Sequence, residues 1–306
     1  MNTLQETLEF SKFDNLEWCA RQIVEGFITG LHKSPYHGFS VEFAEHRLYN
    51  QGESTRHIDW KLYGRTDKLF VKRFEEETNL RCNILIDTSS SMLFPYDGRK
   101  SISKLTFSIY SASALIHLLR RQRDAVGITL FSDKIDFLSE SRLSETHAKM
   151  LFAELDKCIN DRHLDQGHTT NVADALHLLA EKMHKRSLII LFSDLFACDQ
   201  QELFGAIEHL KHNRHEVVIF HVTDHEHEMA LDYPNRPTCF VDMETGEKIK
   251  LNPNEIRDAY RLSLDSFVSS LQEKCGQYNV EFVSADIRRP FADVLTPFLI
   301  KRAKIG

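Results

Sequence analysis

Asp87, Ser89 and Ser91 stand at i, i+2 and i+4 in the stretch D-T-S-S-S, directly after the apolar run Ile84-Leu85-Ile86. One carboxylate and two hydroxyls at this spacing are hard oxygen donors that can close on a small divalent cation, and Mg2+ takes such ligands while keeping several waters. A plainer role is open to the same residues, because serines after a strand also cap a following turn or helix. Nucleophilic chemistry at Ser89 or Ser91 would call for a positioned base, and the loop lacks the G-x-S-x-G elbow. Two other stretches carry related side chains: Ser187 to Phe192 (S-L-I-I-L-F) runs into Ser193-Asp194, and the loop Asn160 to Asn171 closes in G-H-T-T-N ahead of an amphipathic segment.

For these groups to act together, the elements around them must bring three loops to one place. Ile84-Leu85-Ile86, Ala125 to Phe131, Ser187 to Phe192, Glu216 to Val222 and Val280 to Ser284 are short, β-branched and apolar, the pattern of strands buried on both faces. Between them Leu105 to Leu119, Glu145 to Ile159, Val172 to Met183 and Glu255 to Cys275 carry apolar residues at helical intervals, and a last helix starts at Pro290. Strands and helices in alternation predict an α/β domain with a mostly parallel sheet and helices on both faces. In such sheets ligands bind outside the carboxyl ends of the strands, where Asp87 and Asp194 both fall. Asp133 to Leu138 reads as an antiparallel edge strand. T-C-F-V-D-M-E-T-G-E-K-I-K-L, near 238–250, reads as a β-hairpin inserted at the sheet's edge, with Glu244-Thr245-Gly246 as its turn.

The first 79 residues have a different texture. Leu16, Ala20, Ile23, Phe27 and Leu31 recur at helical spacing before the breaker Ser34-Pro35. Gly38 to Thr78 then holds two alternating segments, F-S-V-E-F-A-E-H-R-L-Y and K-L-F-V-K-R-F-E-E-E-T, expected to form a small antiparallel sheet. We therefore expect an N-terminal subdomain at 1–79 and the larger domain at 80–306, a division that suits 306 residues. The connector between the two strands carries Arg56, His57, Asp59, Trp60 and Arg65. These residues could form a partner-binding surface, or Trp60 could plug the small sheet while the charges pair locally.

Composition narrows the classes. Hydrophobic residues make up 42% and charged residues 27% of the chain, ordinary values for a globular protein. Net charge is −7 and the basic clusters are short and separate, which disfavours nucleic acid. The six cysteines show no C-x-x-C spacing, so a reducing compartment fits. No apolar run reaches the ~20 residues of a membrane span, and the start M-N-T-L-Q-E lacks a signal pattern, so a cytoplasmic location is expected. His221, His225 and His227 form a second group of metal-suited side chains, without a helical i, i+4 pair and third ligand to make zinc the expectation. Walker A and G-x-G-x-x-G motifs are absent, which argues against a nucleotide enzyme.

D-T-S-S-S after one core strand, G-H-T-T-N opening a helix about 80 residues later, and S-D after the next core strand together resemble the von Willebrand factor A fold and its metal-ion-dependent adhesion site. The resemblance implies a Rossmann-like sheet and one Mg2+ (Mn2+ or Ca2+ being alternatives) held by Asp87, Ser89, Ser91, Thr170 and Asp194. Thr170 is taken over Thr169 because the family's threonine commonly precedes a small polar residue, here Asn171. In that family an acidic side chain of a partner completes the metal's coordination, so the resemblance implies binding without catalysis. Glu42 to Thr78, E-F-A-E-H-R-L-Y-N-Q-G-E-S-T-R-H-I-D-W-K-L-Y-G-R-T-D-K-L-F-V-K-R-F-E-E-E-T, is similar to the signature of the bacterial family called domain of unknown function 58. Gln51-Gly52-Glu53-Ser54 departs from that family's P-G-D-D. Its members are typically encoded beside MoxR-type AAA+ ATPases, so the resemblance implies such a partner in protein maturation or remodelling. A metal-dependent hydrolase, phosphatase-like, is the competing expectation; it would need a general base or a phosphate-clamping arginine beside the metal.

Overall fold

The structure is a computed structural model that describes residues 15–31, 46–48, 60–72, 80–95, 102–160 and 170–303. Two compact units divide it. One comprises Met1–Gly30 with Leu80–Gly306, the other Leu31–Asn79. The break between Asn79 and Leu80 falls at the expected residue, while the larger unit is discontinuous and takes in the N-terminal helix. The cause is the apolar stripe of that helix, α1 (Leu16–Leu31), whose Leu16, Cys19, Ala20, Ile23 and Val24 are buried in the core of the larger unit.

In the smaller unit β1 (His46–Leu48) pairs antiparallel with β2 (Phe70–Lys72), as the alternating pattern predicts. The connector is not wholly a loop: α2 (Trp60–Thr66) forms within it. Trp60 is 63% exposed and meets the edge of Tyr63, with ring centroids 6.2 Å apart, so the expected plug is corrected to a surface tryptophan. Arg65 is exposed on the same helix. Arg56, His57 and Asp59 lie outside the described residues.

The larger unit is built on β3 (Arg81–Asp87), β4 (Ala125–Phe131), β5 (Ile135–Leu138), β6 (Leu188–Ser193), β7 (Glu216–Thr223) and β10 (Glu281–Asp286), ordered β10-β7-β6-β3-β4-β5. All neighbours are parallel except the edge pair β4–β5. The strand order reverses between β3 and β6: the chain leaves β3 for β4 on one side and later returns to β6 on the other. That point is where open sheets of this kind bind ligands.

Period-2 alternation sends Ile84, Ile86, Ile190 and Phe192 to one face, against α1, α3 (Lys104–Arg121), α4 (Glu145–Asn160) and α8 (Phe291–Ala303). Leu85, Ile189 and Leu191 point to the other, against α5 (Val172–Lys182), α6 (Gln200–His212) and α7 (Pro253–Gln277). A sheet covered in this way has unbroken apolar strands.

Small residues are needed where β5 turns over β4. A Cβ on Gly127 would lie 2.7 Å from the Ser139 carbonyl oxygen and 3.0 Å from the Asn83 side chain. That Asn83 amide is itself fixed, donating to the Ser139 carbonyl oxygen at 3.3 Å and accepting from the Thr129 hydroxyl at 2.9 Å. Gly127→Ala is expected to destabilise by about 1 to 3 kcal/mol, the range for overpacking a closed site. Denaturant unfolding measures it, and an unchanged midpoint would show that Ser139 can yield.

The inserted hairpin forms where it is expected, as a two-stranded sheet. Its strands, β8 (Thr238–Val241) and β9 (Lys248–Leu251), pair only with each other and do not extend the main sheet. Their turn reaches instead to the loop before α5, as the site geometry shows.

Candidate functional site

β3 ends on Asp87 and β6 on Ser193, side by side at the point where the strand order reverses. Asp87 is fully buried. Its Oδ1 accepts the backbone N–H of Ser89 at 3.0 Å and its Oδ2 accepts the Ser193 hydroxyl at 2.7 Å. The chain then winds into one short turn, Ser90–Leu93, which brings the Ser89 and Ser91 hydroxyls to 3.1 Å. Thr88 fixes the base of this turn, its backbone N–H and hydroxyl both donating to the Phe131 carbonyl oxygen at the end of β4.

Asp194 follows β6 and is buried. The next residue, Leu195, takes φ +57°, a conformation costly for a bulky side chain, while its N–H is held at 3.1 Å by the Ser193 hydroxyl. Strain of this kind is commonest at functional turns.

Thr170 comes from the third loop. Asn171 N–H donates to the Ser132 carbonyl oxygen at 2.9 Å, tying that loop to the end of β4, and the Asn171 side chain caps α5 by accepting from Asp174 N–H. The Thr170 hydroxyl donates to Glu244 Oε1 at 3.3 Å. Thr169, the alternative ligand, lies outside the described residues. The described loops thus bring Asp87, Ser89, Ser91, Thr170 and Asp194 to one end of the sheet.

Sequence reasoning missed four residues there. Lys104, the first residue of α3, is fully buried, and its ammonium lies 2.7 Å from Asp194 Oδ2 and 2.5 Å from Glu228 Oε1. The same ammonium stands 5.9 Å and 5.5 Å from the ring centroids of Phe94 and Phe196. Glu228 belongs to the turn after β7, where its other oxygen accepts Asp224 N–H at 2.8 Å. Ser193 holds Asp87, and Glu244 arrives from the hairpin turn. Only Ser193 had a local signal, its place beside Asp194 after an apolar run.

The electrostatics are those of an acidic pocket with partial compensation. Burial, and then the negative charge of Asp194, pushes the Asp87 carboxyl up to about 7. Burial works against the Asp194 anion too, but the Lys104 ammonium outweighs it and holds that carboxyl below its usual range, helped by the Ser91 hydroxyl. Lys104, despite burial, is held above the ordinary lysine value by Asp194 and Glu228. Glu244 is raised by burial and by Asp194, against the hydroxyls of Ser91 and Thr170. Lys104 offsets one charge of the Asp194–Glu228 pair, while Asp87 faces the Ser193 hydroxyl and Glu244 the Thr170 hydroxyl.

Of the histidine group, His221 stands on β7 beside Ser193 of β6 and feels the Asp194 charge, while His227 pairs with Asp224. His221 is buried between Phe196 and Phe282, and burial lowers its pKa to about 4, so it is neutral. His227 Nδ1 lies 2.9 Å from Asp224 Oδ2, and Arg288 reaches the same carboxylate at 2.7 Å. Among the described residues no group of three or more His, Cys, Asp and Glu side chains is arranged to hold a metal by itself.

Over 210 residues the chain is 22% identical to an uncharacterized protein of Mycobacterium bovis and equally to uncharacterized proteins of two Mycobacterium tuberculosis strains, covering 68% of this chain. The match spans 63% of the length of these curated relatives. Among solved structures it is similar to the conserved hypothetical protein BatB from Bacteroides thetaiotaomicron, at 19% identity and TM-score 0.45, covering 74% of this chain and 99% of that one. It is also similar to the SpRpn10 VWA domain, at 16% identity and TM-score 0.34, covering 71% and 95%. The family profile described as "Protein of unknown function DUF58" matches residues 45–266, and the chain belongs to that family.

Proposed function

We propose that this protein is a non-catalytic, divalent-cation-dependent protein interaction module. Mg2+, or Mn2+ or Ca2+ in its place, would be held by Asp87, Ser89, Ser91, Thr170 and Asp194. The carrying observation is the meeting of two buried, mutually repelling carboxylates with three hydroxyls at the point where the strand order reverses. The donor set fits the ion. Its atoms are all hard oxygens, and a divalent charge would offset the burial, and with it the Asp194 repulsion, that lift Asp87. When bound, the cation supplies an electrophilic centre for a carboxylate. Asp87 and Asp194 supply charge, and the hydroxyls orient.

The binding reading is favoured over hydrolysis by the surroundings of Asp194. The ammonium beside it is committed to two carboxylates, Asp194 and Glu228, and is buried between phenylalanine rings rather than aimed outward to clamp phosphate. The partner class is a MoxR-type AAA+ ATPase or its client, presenting an acidic side chain in the cytoplasm. Trp60 and Arg65, exposed on α2, give the smaller unit a candidate contact surface of its own.

The test is binding of a purified MoxR-type ATPase to the full chain in MgCl2 and in EDTA. The reading expects association only with Mg2+. Equal association in EDTA would sink it, and release of inorganic phosphate from a phosphoester substrate would favour the hydrolase.

A further inference from the structure

The opposite end of the sheet carries charge of the other sign. β7, β6, β3 and β4 are neighbours in that order, and each begins at or just after an arginine: Arg214, Arg186, Arg81 and Arg123. Arg81 opens β3 opposite Ala125, two residues beyond Arg123. Arg186 and Arg214 stand on adjacent chains, with Arg186 N–H donating to the Asn213 carbonyl oxygen at 3.3 Å. At ~4.8 Å between strands, the row runs about 15 Å along the amino edge of the sheet. All four arginines are exposed, as are Lys182 and Lys185 at the end of α5 beside Arg186. Basic clusters that are separate in the sequence thus meet in the fold.

Arginine is not what these turns ask for. Arg123, Arg186 and Arg214 each lie between a helix end and a strand, at φ +62°, +63° and +61°. Glycine and asparagine enter that left-handed region most easily, and the corresponding turn before β10 uses Asn279 at φ +53°. Cations do favour helix C-termini, but the last turns already carry them: Arg120 and Arg121 in α3, Lys182 in α5, and Lys211 in α6. Among the described residues, none of the four arginines of the row forms an ion pair. Arg142 on the same edge, by contrast, is 2.8 Å from Glu140, and Asp124 beside Arg123 accepts the Leu80 N–H at 3.0 Å.

We infer that this row is a second docking surface, at the far end of the sheet from Asp87 and Asp194, and that it takes an acidic segment of a partner protein. Guanidinium groups pair with carboxylates through two parallel hydrogen bonds, and one such group is offered at each of four successive strands. Nucleic acid and anionic membranes present anions too, but the row's surroundings disfavour both. The turns that carry it hold no exposed aromatic ring on which a base would stack, and no large exposed apolar side chain to enter a bilayer. A net charge of −7 also repels an extended polyanion, whereas a short acidic segment meets only the local basic row. The inference stands apart from the cation reading and needs no metal.

The experiment uses the full chain in EDTA, with fluorescence anisotropy of a labelled glutamate oligopeptide as the readout, and poly(U) RNA and phosphatidylserine vesicles as separate arms. Wild type is expected to bind the peptide in preference to the other two probes, and more weakly as salt is added. The triple variant Arg123→Asn, Arg186→Asn, Arg214→Asn is expected to bind the peptide about tenfold more weakly, since exposed charges contribute little apiece. It is also expected to melt at or above the wild-type temperature, because asparagine suits the left-handed turns. Lys134→Asn, Lys248→Asn, Lys250→Asn, an equal charge change on exposed residues outside the row, is expected to bind as wild type does. Absence of peptide binding to wild type, equal binding by the two triple variants, or preference for RNA or vesicles overturns the acidic-segment surface. A lowered melting temperature of the arginine variant with unchanged peptide binding overturns it as well, and makes the row a set of helix-end contacts.

Discussion

Lys104→Met is expected to lower the stability of the protein by about 3 to 5 kcal/mol, the range found when one partner of a buried ion pair is removed. The Lys104 side chain is 1% exposed and lies between Asp194 Oδ2 at 2.7 Å and Glu228 Oε1 at 2.5 Å. Methionine fills similar space against Phe94 and Phe196, so the loss would come from two carboxylates left without their cation rather than from a cavity. Denaturant unfolding in EDTA, with an unchanged slope, gives the number. A second titration in MgCl2 adds information, because an added divalent cation beside Asp194 should restore part of the loss. A change under about 0.5 kcal/mol, the range of ordinary surface substitutions, would mean that Asp194 and Glu228 find water or protons instead.

Asp87→Asn should separate the cation role from the fold. The asparagine keeps the shape and can still accept Ser89 N–H and pair with the Ser193 hydroxyl, the two contacts that fix Asp87. It removes the charge that burial and Asp194 disfavour. The sign follows from the raised pKa: the folded-state carboxyl titrates at about 7 against an ordinary 3.8. Between these values the folded protein holds a proton that the unfolded chain has lost, so stability from this group falls as pH rises and is lowest above about 7. In EDTA at pH 8, Asp87→Asn is therefore expected to melt at or above the wild-type temperature. Its Mg2+ affinity should drop by about 100-fold or more, beyond what outer partners of a metal cost. Collapse of the variant would make Asp87 a structural residue, and unchanged Mg2+ binding would remove it from the proposed ligand set.

Much of this architecture was legible from local pattern alone. Ile84-Leu85-Ile86 and Leu188 to Phe192 are unbroken apolar runs, which only a strand covered on both faces can use, and all are fully buried. The helices between them follow from apolar spacing, and the parallel sheet follows from the alternation. Asp87, Ser89, Ser91 and Asp194 were legible because each follows directly on the strand that positions it. Thr170 came from the family resemblance, chosen over Thr169 because it precedes Asn171, the cap of α5.

What the tertiary structure decided are the contacts that no period carries. Lys104 meets Asp194 across 90 residues and Glu228 across 124, and Glu244 meets Thr170 across 74. In sequence, Lys104 is an unremarked helix start, and a buried lysine is unexpected until its two carboxylates are seen to surround it. Glu244 reads as an ordinary turn residue, because a hairpin's internal geometry fixes its register but not what its tip touches. The same limit explains the placement of α1 and of Trp60. The stripe on α1 announced a buried face without naming the core that buries it. The tryptophan announced a large apolar ring whose burial, by packing alone, went the other way.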